Sequence, residues 1–178
     1  MSYALVRVIY KGYSATCYHP TNGSVSQLGR RLVDELEEIH HFRSNMISEY
    51  IHLLKNMEVV SKNSIPTEEQ KIRLLPYTHI NLEQLNSQNS WSSLLYGTRE
   101  SLDAMLRAGI YCDTNLAPHS FGTVYTINLL SRTINVFSYE EGSEQTYRFE
   151  DAPVTRRAFE CGLLWLPDDE PAQTNAQI

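Results

Sequence analysis

The sequence has only three cysteines, Cys17, Cys112 and Cys161. An odd number at wide, unpatterned spacing predicts free thiols in a reducing compartment rather than a disulfide framework. Long apolar runs are missing too: none approaches the roughly 20 residues that span a bilayer. The opening Met-Ser-Tyr-Ala-Leu-Val-Arg has no basic region followed by an apolar core, which predicts a chain without a signal peptide. The expected setting is the cytoplasm, with no membrane partner. Cationic surplus is also absent, since the formal net charge is -6. A protein that coats nucleic-acid duplexes or anionic membranes needs a cationic surface to displace counterions. A local basic pocket for a small anionic ligand is compatible with that total.

Other signatures are equally scarce. No Gly-rich phosphate loop occurs, and Gly97 and Gly109 stand alone. No Cys-x-x-Cys or His-x-x-x-His pair occurs. His40 and His41 would point about 100° apart on a helix, so they share a face poorly, and His52 is isolated. The expectation is therefore no metal and no cofactor. There is no internal repeat and no sustained heptad.

What is present is alternation. Thr123 to Tyr139 reads as two strands joined by a tight turn at Leu130-Ser131-Arg132. Tyr125, Ile127 and Leu129 point one way on the first strand, and Ile134 and Val136 alternate with Asn135 and Phe137 on the second. Ala4–Tyr10 and Tyr13–Tyr18 form a second hairpin across Lys11-Gly12, with glycine free to take positive φ. Two strands alone are marginal in water, so the hairpins imply a larger sheet. His19 to Gly23 is a loop.

Helical periodicity fills the interval. Ser24 with Gln27 reads as a capping box for a helix to about His41, with Leu28, Leu32, Leu36 and Ile39 on its apolar face and Glu35 among the wet-side residues. Ser44 to Asn56 places Met46, Ile47, Tyr50, Ile51 and Leu54 together. Met57 to Val60 is ambiguous. Thr67 with Gln70 reads as another capping box, and Asn81 as the cap of a further turn. Gln84 to Ser93 is polar and reads as an exposed connection. Thr98 reads as the cap of a helix carrying Leu102, Met105 and Leu106, which ends at a left-handed Gly109. Thr146 to Phe149 fits another strand. Ala158 to Leu166 fits helix or strand, and Asp168 to Ile178 reads as a disordered tail. The fold class expected is α+β, an antiparallel sheet with amphipathic helices packed on one face, as a single domain over 1–166 with a tail over 167–178.

The order of these signals resembles an uncharacterised family of small proteins from phages and bacteria. Its members open with a short hairpin running into a polar, aromatic and glycine-bearing loop. An amphipathic helix follows, and a hairpin of the type Tyr-x-Ile-Asp-Leu, turn, Leu-x-Val-Tyr lies late in the chain. The matching segments are Tyr18 to Gly23, Leu28 to Leu36, Tyr125-Thr-Ile-Asn-Leu129 and Thr133-Ile-Asn-Val-Phe137. His19-Pro20-Thr21 stands where the family often has an aromatic-acidic loop. The family has no secure activity, so the resemblance implies topology and a mobile-element origin.

Several side chains are candidates for chemistry. Cys17 and His19 share a strand face, and a thiol beside an imidazole is one route to a reactive thiolate. Cys112, Asp113 and His119 form a second set, in which Asp113 would orient His119 towards Cys112 or a substrate. Arg30-Arg31 and Arg156-Arg157 offer planar forks for a phosphate or carboxylate. Tyr13, Tyr18, Tyr77, Tyr96 and Tyr111 fall near turns and element ends, where amphipathic rings suit a binding surface. The function that fits best is non-catalytic binding of a protein partner or a small anionic ligand, with a phage-type modulator of a host system as one concrete form. Tyr13, Tyr18, Tyr111, Arg30 and Arg31 are its contact residues. The alternatives are a Cys/His-dependent hydrolase or transferase, and a structural or assembly protein forming a homo-oligomer.

Overall fold

Two tight turns set the framework of the computed structural model, which describes residues 3–20, 23–78, 81, 84, 87, 89–113 and 121–151. At the first, Lys11 takes a φ of 51° and joins β1 (Ala4–Tyr10) to β2 (Tyr13–His19), with Tyr10 opposite Tyr13. At the second, Asn128 Oδ1 accepts from the amides of Leu130 and Ser131 at 3.0 and 3.2 Å, and Arg132 takes a φ of 54°. A side-chain acceptor of this kind stands in for a backbone turn bond. It connects β5 (Thr123–Asn128) to β6 (Thr133–Ser138). β7 (Ser143–Arg148) adds antiparallel to β6 after Gly142, whose φ is 63°.

The two hairpins lie side by side in one sheet of order β2-β1-β5-β6-β7. The seam between them is parallel, with Ala4 opposite Thr123 and Ile9 opposite Asn128. The sheet is thus mixed rather than wholly antiparallel. Each hairpin fixes the sense of its own strands. The crossover from β2 to β5 carries the helices and is long enough to permit a parallel join.

Alternation then sorts the side chains. Val6 of β1, Cys17 of β2, Tyr125 of β5 and Val136 of β6 form one register row on one face. They pack against Leu32, Val33, Leu36 and Ile39 of α1 (Arg30–Phe42) and against Ile47, Tyr50 and Leu54 of α2 (Met46–Lys55). Truncating one such buried leucine to alanine typically removes about 2–5 kcal/mol. On the opposite face Leu5, Phe121 and Val124 are buried beneath Tyr18 and Phe137.

The entry to α1 differs from its sequence reading. The Ser24 hydroxyl makes no cap bond and lies 3.2 Å from Ser26 Oγ. The Ser24 carbonyl instead accepts from Gln27, Leu28 and Gly29, which opens a wide π turn over Val25–Gly29. Thr67 does form the expected box: its Oγ1 accepts from Gln70 N at 3.2 Å and its amide donates to Gln70 Oε1 at 2.8 Å. That box starts α3 (Glu68–Leu74). Asn81 Oδ1 likewise accepts from Gln84 N at 2.9 Å.

A smaller unit stands beside the edge strand β2. Here the ambiguous Met57–Val60 stretch supplies β3 (Glu58–Ser61), which pairs parallel with β4 (Ile110–Asp113). Val60 and Ile110 bury with Leu74, with Trp91 and Leu94 of the one-turn α4 (Trp91–Leu94), and with Leu95 and Ala108. The described residues between Gln84 and Ser90 are exposed, as the polar run predicts, whereas Trp91 within that run is a buried anchor, 4% exposed. Its Nε1 donates to the Ser64 carbonyl at 2.9 Å. A side chain on Gly97 would meet the Tyr77 carbonyl oxygen, 1.8 Å from an ideal Cβ, so only glycine fits there.

α5 (Leu102–Ala108) links the two units. Ser101, not Thr98, is its cap: Ser101 Oγ accepts from Ala104 N at 2.9 Å, while the Thr98 hydroxyl is buried and donates to the Leu95 carbonyl. Gly109 closes it at φ 67° and ψ 11°. Glu35, placed by periodicity on the wet side of α1, is half-buried and accepts from the amides of Leu102 and Asp103, both at 2.8 Å. Burial raises its carboxyl pKa, and those two amides hold the rise back. The same corner holds Asp103, which accepts from Tyr50 at 3.0 Å and from Arg107 at 2.8 Å. No helix among the described residues is long and apolar enough to cross a membrane. The expected elements at Ala158 to Leu166 and the tail lie outside the described residues.

Candidate functional site

β2 is an edge strand, and its free side looks towards the smaller unit across a cavity of about 410 Å3. Thr16, Cys17 and Tyr18 form one wall. Successive strand residues point to opposite faces, so a wall made of three in a row follows the strand edge itself. Ile110, Tyr111 and Cys112 of β4 line the cavity as well, with Trp91 of α4 and Leu95 just after it, Met105 of α5, and Thr98 with Arg99 from the short turn before α5. Lys62 and Ser90 add polar groups.

The charge of this lining runs against the charge of the chain. Among the described residues it includes Arg99 and Lys62 but no Asp or Glu, in a protein of net charge -6. Arg99 is half-buried; its Nη2 donates to Ser92 Oγ at 3.4 Å and its guanidinium sits 5.7 Å from the ring of Tyr96. Among the described residues, neither Arg99 nor Lys62 forms an ion pair with a carboxylate. The Arg99 charge reaches its neighbours. Burial, then Arg99, then Arg31 push the His19 imidazole down to about 3, so it is neutral at physiological pH.

The thiols answer to burial more than to charge. Cys17 is pushed up to about 11 by burial, against smaller opposing effects of Arg99 and the Thr98 hydroxyl. Cys112 is raised by burial and by the Asp113 carboxylate, with Lys62 opposing. Its Sγ lies 3.7 Å from the Asp113 carbonyl. Both thiols are held protonated at neutral pH, the reverse of what a thiolate nucleophile requires.

The structure brings together Tyr18, Tyr111, Cys17 and Cys112 from the residues singled out in the sequence. Tyr18 also packs against Tyr3 and Phe121 at ring separations of 6.3 and 5.6 Å. Asp113 ends β4 in an exposed position, and His119 lies outside the described residues. Tyr13 does not line the cavity; it is at the hairpin tip with Tyr10, where Lys55 lies 5.8 Å from its ring. Arg30 is exposed on the first turn of α1, and Arg31 donates to the Glu100 carbonyl at 3.4 Å. His40 and His41 contact edge to face at 4.8 Å, and no group of three potential metal ligands occurs among the described residues. Arg156, Arg157 and Cys161 lie outside those residues.

Arg99, Lys62 and Trp91 were not singled out by sequence. Nothing in Gly97-Thr-Arg-Glu-Ser101 marks Arg99, whereas a tryptophan in an otherwise polar run is itself a signal of a buried anchor. No family model matches this chain, and no curated protein or solved structure does either.

Proposed function

We propose that the protein is a non-catalytic binding protein whose ligand places one anionic group against Arg99 in the cavity beside β2. The observation that carries this reading is the half-buried Arg99 with no carboxylate partner among the described residues, in a lining without acids. A guanidinium so placed offers a planar fork, and a hydrogen bond to a charged partner contributes about 1.5–3 kcal/mol. Trp91, Leu95, Met105 and Ile110 supply the apolar surface for the rest of the ligand. The cavity volume of about 410 Å3 lies near the lower end of the roughly 300–1,000 Å3 common for ligand pockets. The protonated thiols favour binding over a Cys/His-dependent reaction. The resemblance to phage and bacterial proteins adds the setting, a cytoplasmic modulator of a host system.

Saturation-transfer NMR with phenylacetate, octanoate and phenyl phosphate tests the reading. At least one should give a transfer signal in the native protein that is lost in Arg99→Met at an unchanged melting temperature. Signals absent for all three probes, or equal in the variant, would refute it.

A further inference from the structure

The five-stranded sheet ends on β7, and among the described residues only β6 pairs with it. The opposite edge strand, β2, has β4 and the Gly97–Arg99 turn beside it. In an antiparallel ladder, residues alternate between those whose N–H and C=O face the neighbouring strand and those whose groups face away. Tyr139 N donates to the Gly122 carbonyl at 3.0 Å, and Phe149 N donates to the Arg132 carbonyl at 2.9 Å. The odd-numbered residues of β6 therefore face β5 and its even-numbered residues face β7, where the register sets Ser143, Gln145 and Tyr147 against them. Glu144, Thr146 and Arg148 turn their N–H and C=O groups outward, away from β6.

Edge strands are usually protected by proline, a bulge, lysines or a covering element. β7 reads Ser-Glu-Gln-Thr-Tyr-Arg, without proline or lysine, in unbroken register with β6. Tyr147 packs with Ile134 on the helix side, so alternation puts Glu144, Thr146 and Arg148 on the other face, where all three are exposed. Asn135 of β6 holds that row, its Nδ2 donating to Glu144 Oε1 and to Thr146 Oγ1, each at 2.9 Å. The row is self-complementary. In a second copy laid antiparallel about Thr146, Glu144 of each chain lies opposite Arg148 of the other, and Thr146 lies opposite Thr146. Opposite charges and paired threonines both favour a cross-strand contact. Centring on Tyr147 would set Glu144 against Glu150, and centring on Gln145 would set Arg148 against Gly142. Arg148 Nη1 holds Glu150 at 3.0 Å within its own chain, and a guanidinium has further donors for a second carboxylate.

We infer that two copies of this chain join edge to edge through β7, antiparallel about Thr146, into one continuous sheet with the helices of both copies on the same face. A two-fold axis makes the contact isologous, each copy supplying the same patch. The join lies at the edge of the sheet opposite the Arg99 cavity, so the dimer carries a cavity at each far flank and neither reading rests on the other.

Sedimentation velocity on the full chain, between micromolar and millimolar concentration, should show a monomer–dimer equilibrium. Thr146→Pro removes one outward N–H without touching the β6 ladder, an orientation in which an edge strand tolerates proline. It should weaken dimerisation at least tenfold and leave the circular-dichroism spectrum unchanged. Glu144→Arg and Arg148→Glu should each weaken it to the same degree. Mixed in equal amounts, those two variants recreate both charge pairs, and their heterodimer should form at least tenfold more tightly than either homodimer. That readout stands whether or not Thr146→Pro folds. Amide exchange followed by NMR should show Glu144, Thr146 and Arg148 gaining protection as concentration rises. A chain that stays monomeric throughout would overturn the inference. So would a dimer indifferent to the charge reversals, no gain on mixing them, or the same exchange rates for the three amides at every concentration.

Discussion

Gly97→Ala is the substitution most sharply specified by the packing. An ideal Cβ at Gly97 lies 1.8 Å from the Tyr77 carbonyl oxygen and 2.7 Å from its carbon. Contacts below 3.0 Å essentially never occur, so the methyl requires a displacement of at least 1.2 Å. The obstacle is backbone, held in the turn Leu75–Tyr77, and cannot rotate away as a side-chain tip would. Overpacking usually costs about 1–3 kcal/mol, and a backbone obstacle belongs at the upper end. At about 2–4 °C per kcal/mol for a chain of this size, the melting temperature should fall by roughly 5–10 °C. Thermal denaturation followed by circular dichroism reads that number. Gly12→Ala is the control, because a Cβ at Gly12 meets nothing within 4 Å. Its effect should stay within about 0.5 kcal/mol. Because Gly97 sits two residues from both Leu95 and Arg99, ligand retention should fall with stability. A Gly97→Ala protein melting within 1 °C of the parent would mean that the Tyr77 carbonyl does not lie against Gly97.

Other perturbations test separate parts of the argument. With the folded pKa of His19 near 3, below its ordinary 6.5, the unfolded chain binds the extra proton between those values. Stability should therefore decline as pH falls below 6.5, by up to about 1.4 kcal/mol per pH unit. Urea titrations between pH 6 and 5, where most carboxylates stay ionised, should show a shallower decline in His19→Gln; equal slopes would remove His19 as the cause. Peptide mapping after iodoacetamide treatment at pH 7 should find Cys17 and Cys112 modified slowly, and rapid labelling of either would revive the thiol-dependent alternative. Glu35→Ala strips the amides of Leu102 and Asp103 of their acceptor and should destabilise by about 1–3 kcal/mol in urea denaturation. No change would mean that water or another group replaces the carboxylate there.

Local devices were legible in the sequence because their causes are local. The alternation of Tyr125, Ile127, Ile134 and Val136, the Thr67–Gln70 box and the left-handed Gly109 depend on residues a few positions apart. The α1 stripe was equally clear, although Ser24 misled, because Ser26 is close enough to engage its hydroxyl. The parallel seam was not legible, since an alternating strand presents the same faces in either sense. Nor was the bond from Glu35 to α5, whose partners lie more than sixty residues away. The cavity had the same obstacle: it exists only where β2 meets residues drawn from Lys62 to Cys112. Tyr18 and Tyr111 were found by residue type, but Arg99 acquires its meaning from where the turn places it.

The parallel seam also has a temporal side. Ala4 meets Thr123, so β1 leaves the ribosome 119 residues before its neighbour exists. At about 5–20 residues per second that is a wait of roughly 6–24 s, and only then does the sheet gain its central pairing. During this interval the nascent amino-terminal ribbon has an open flank on its β5 side, and α1 and α2, already synthesised, are its available shelter. Slow translation through residues 56–122 should therefore lengthen exposure of that flank and raise the demand for chaperones.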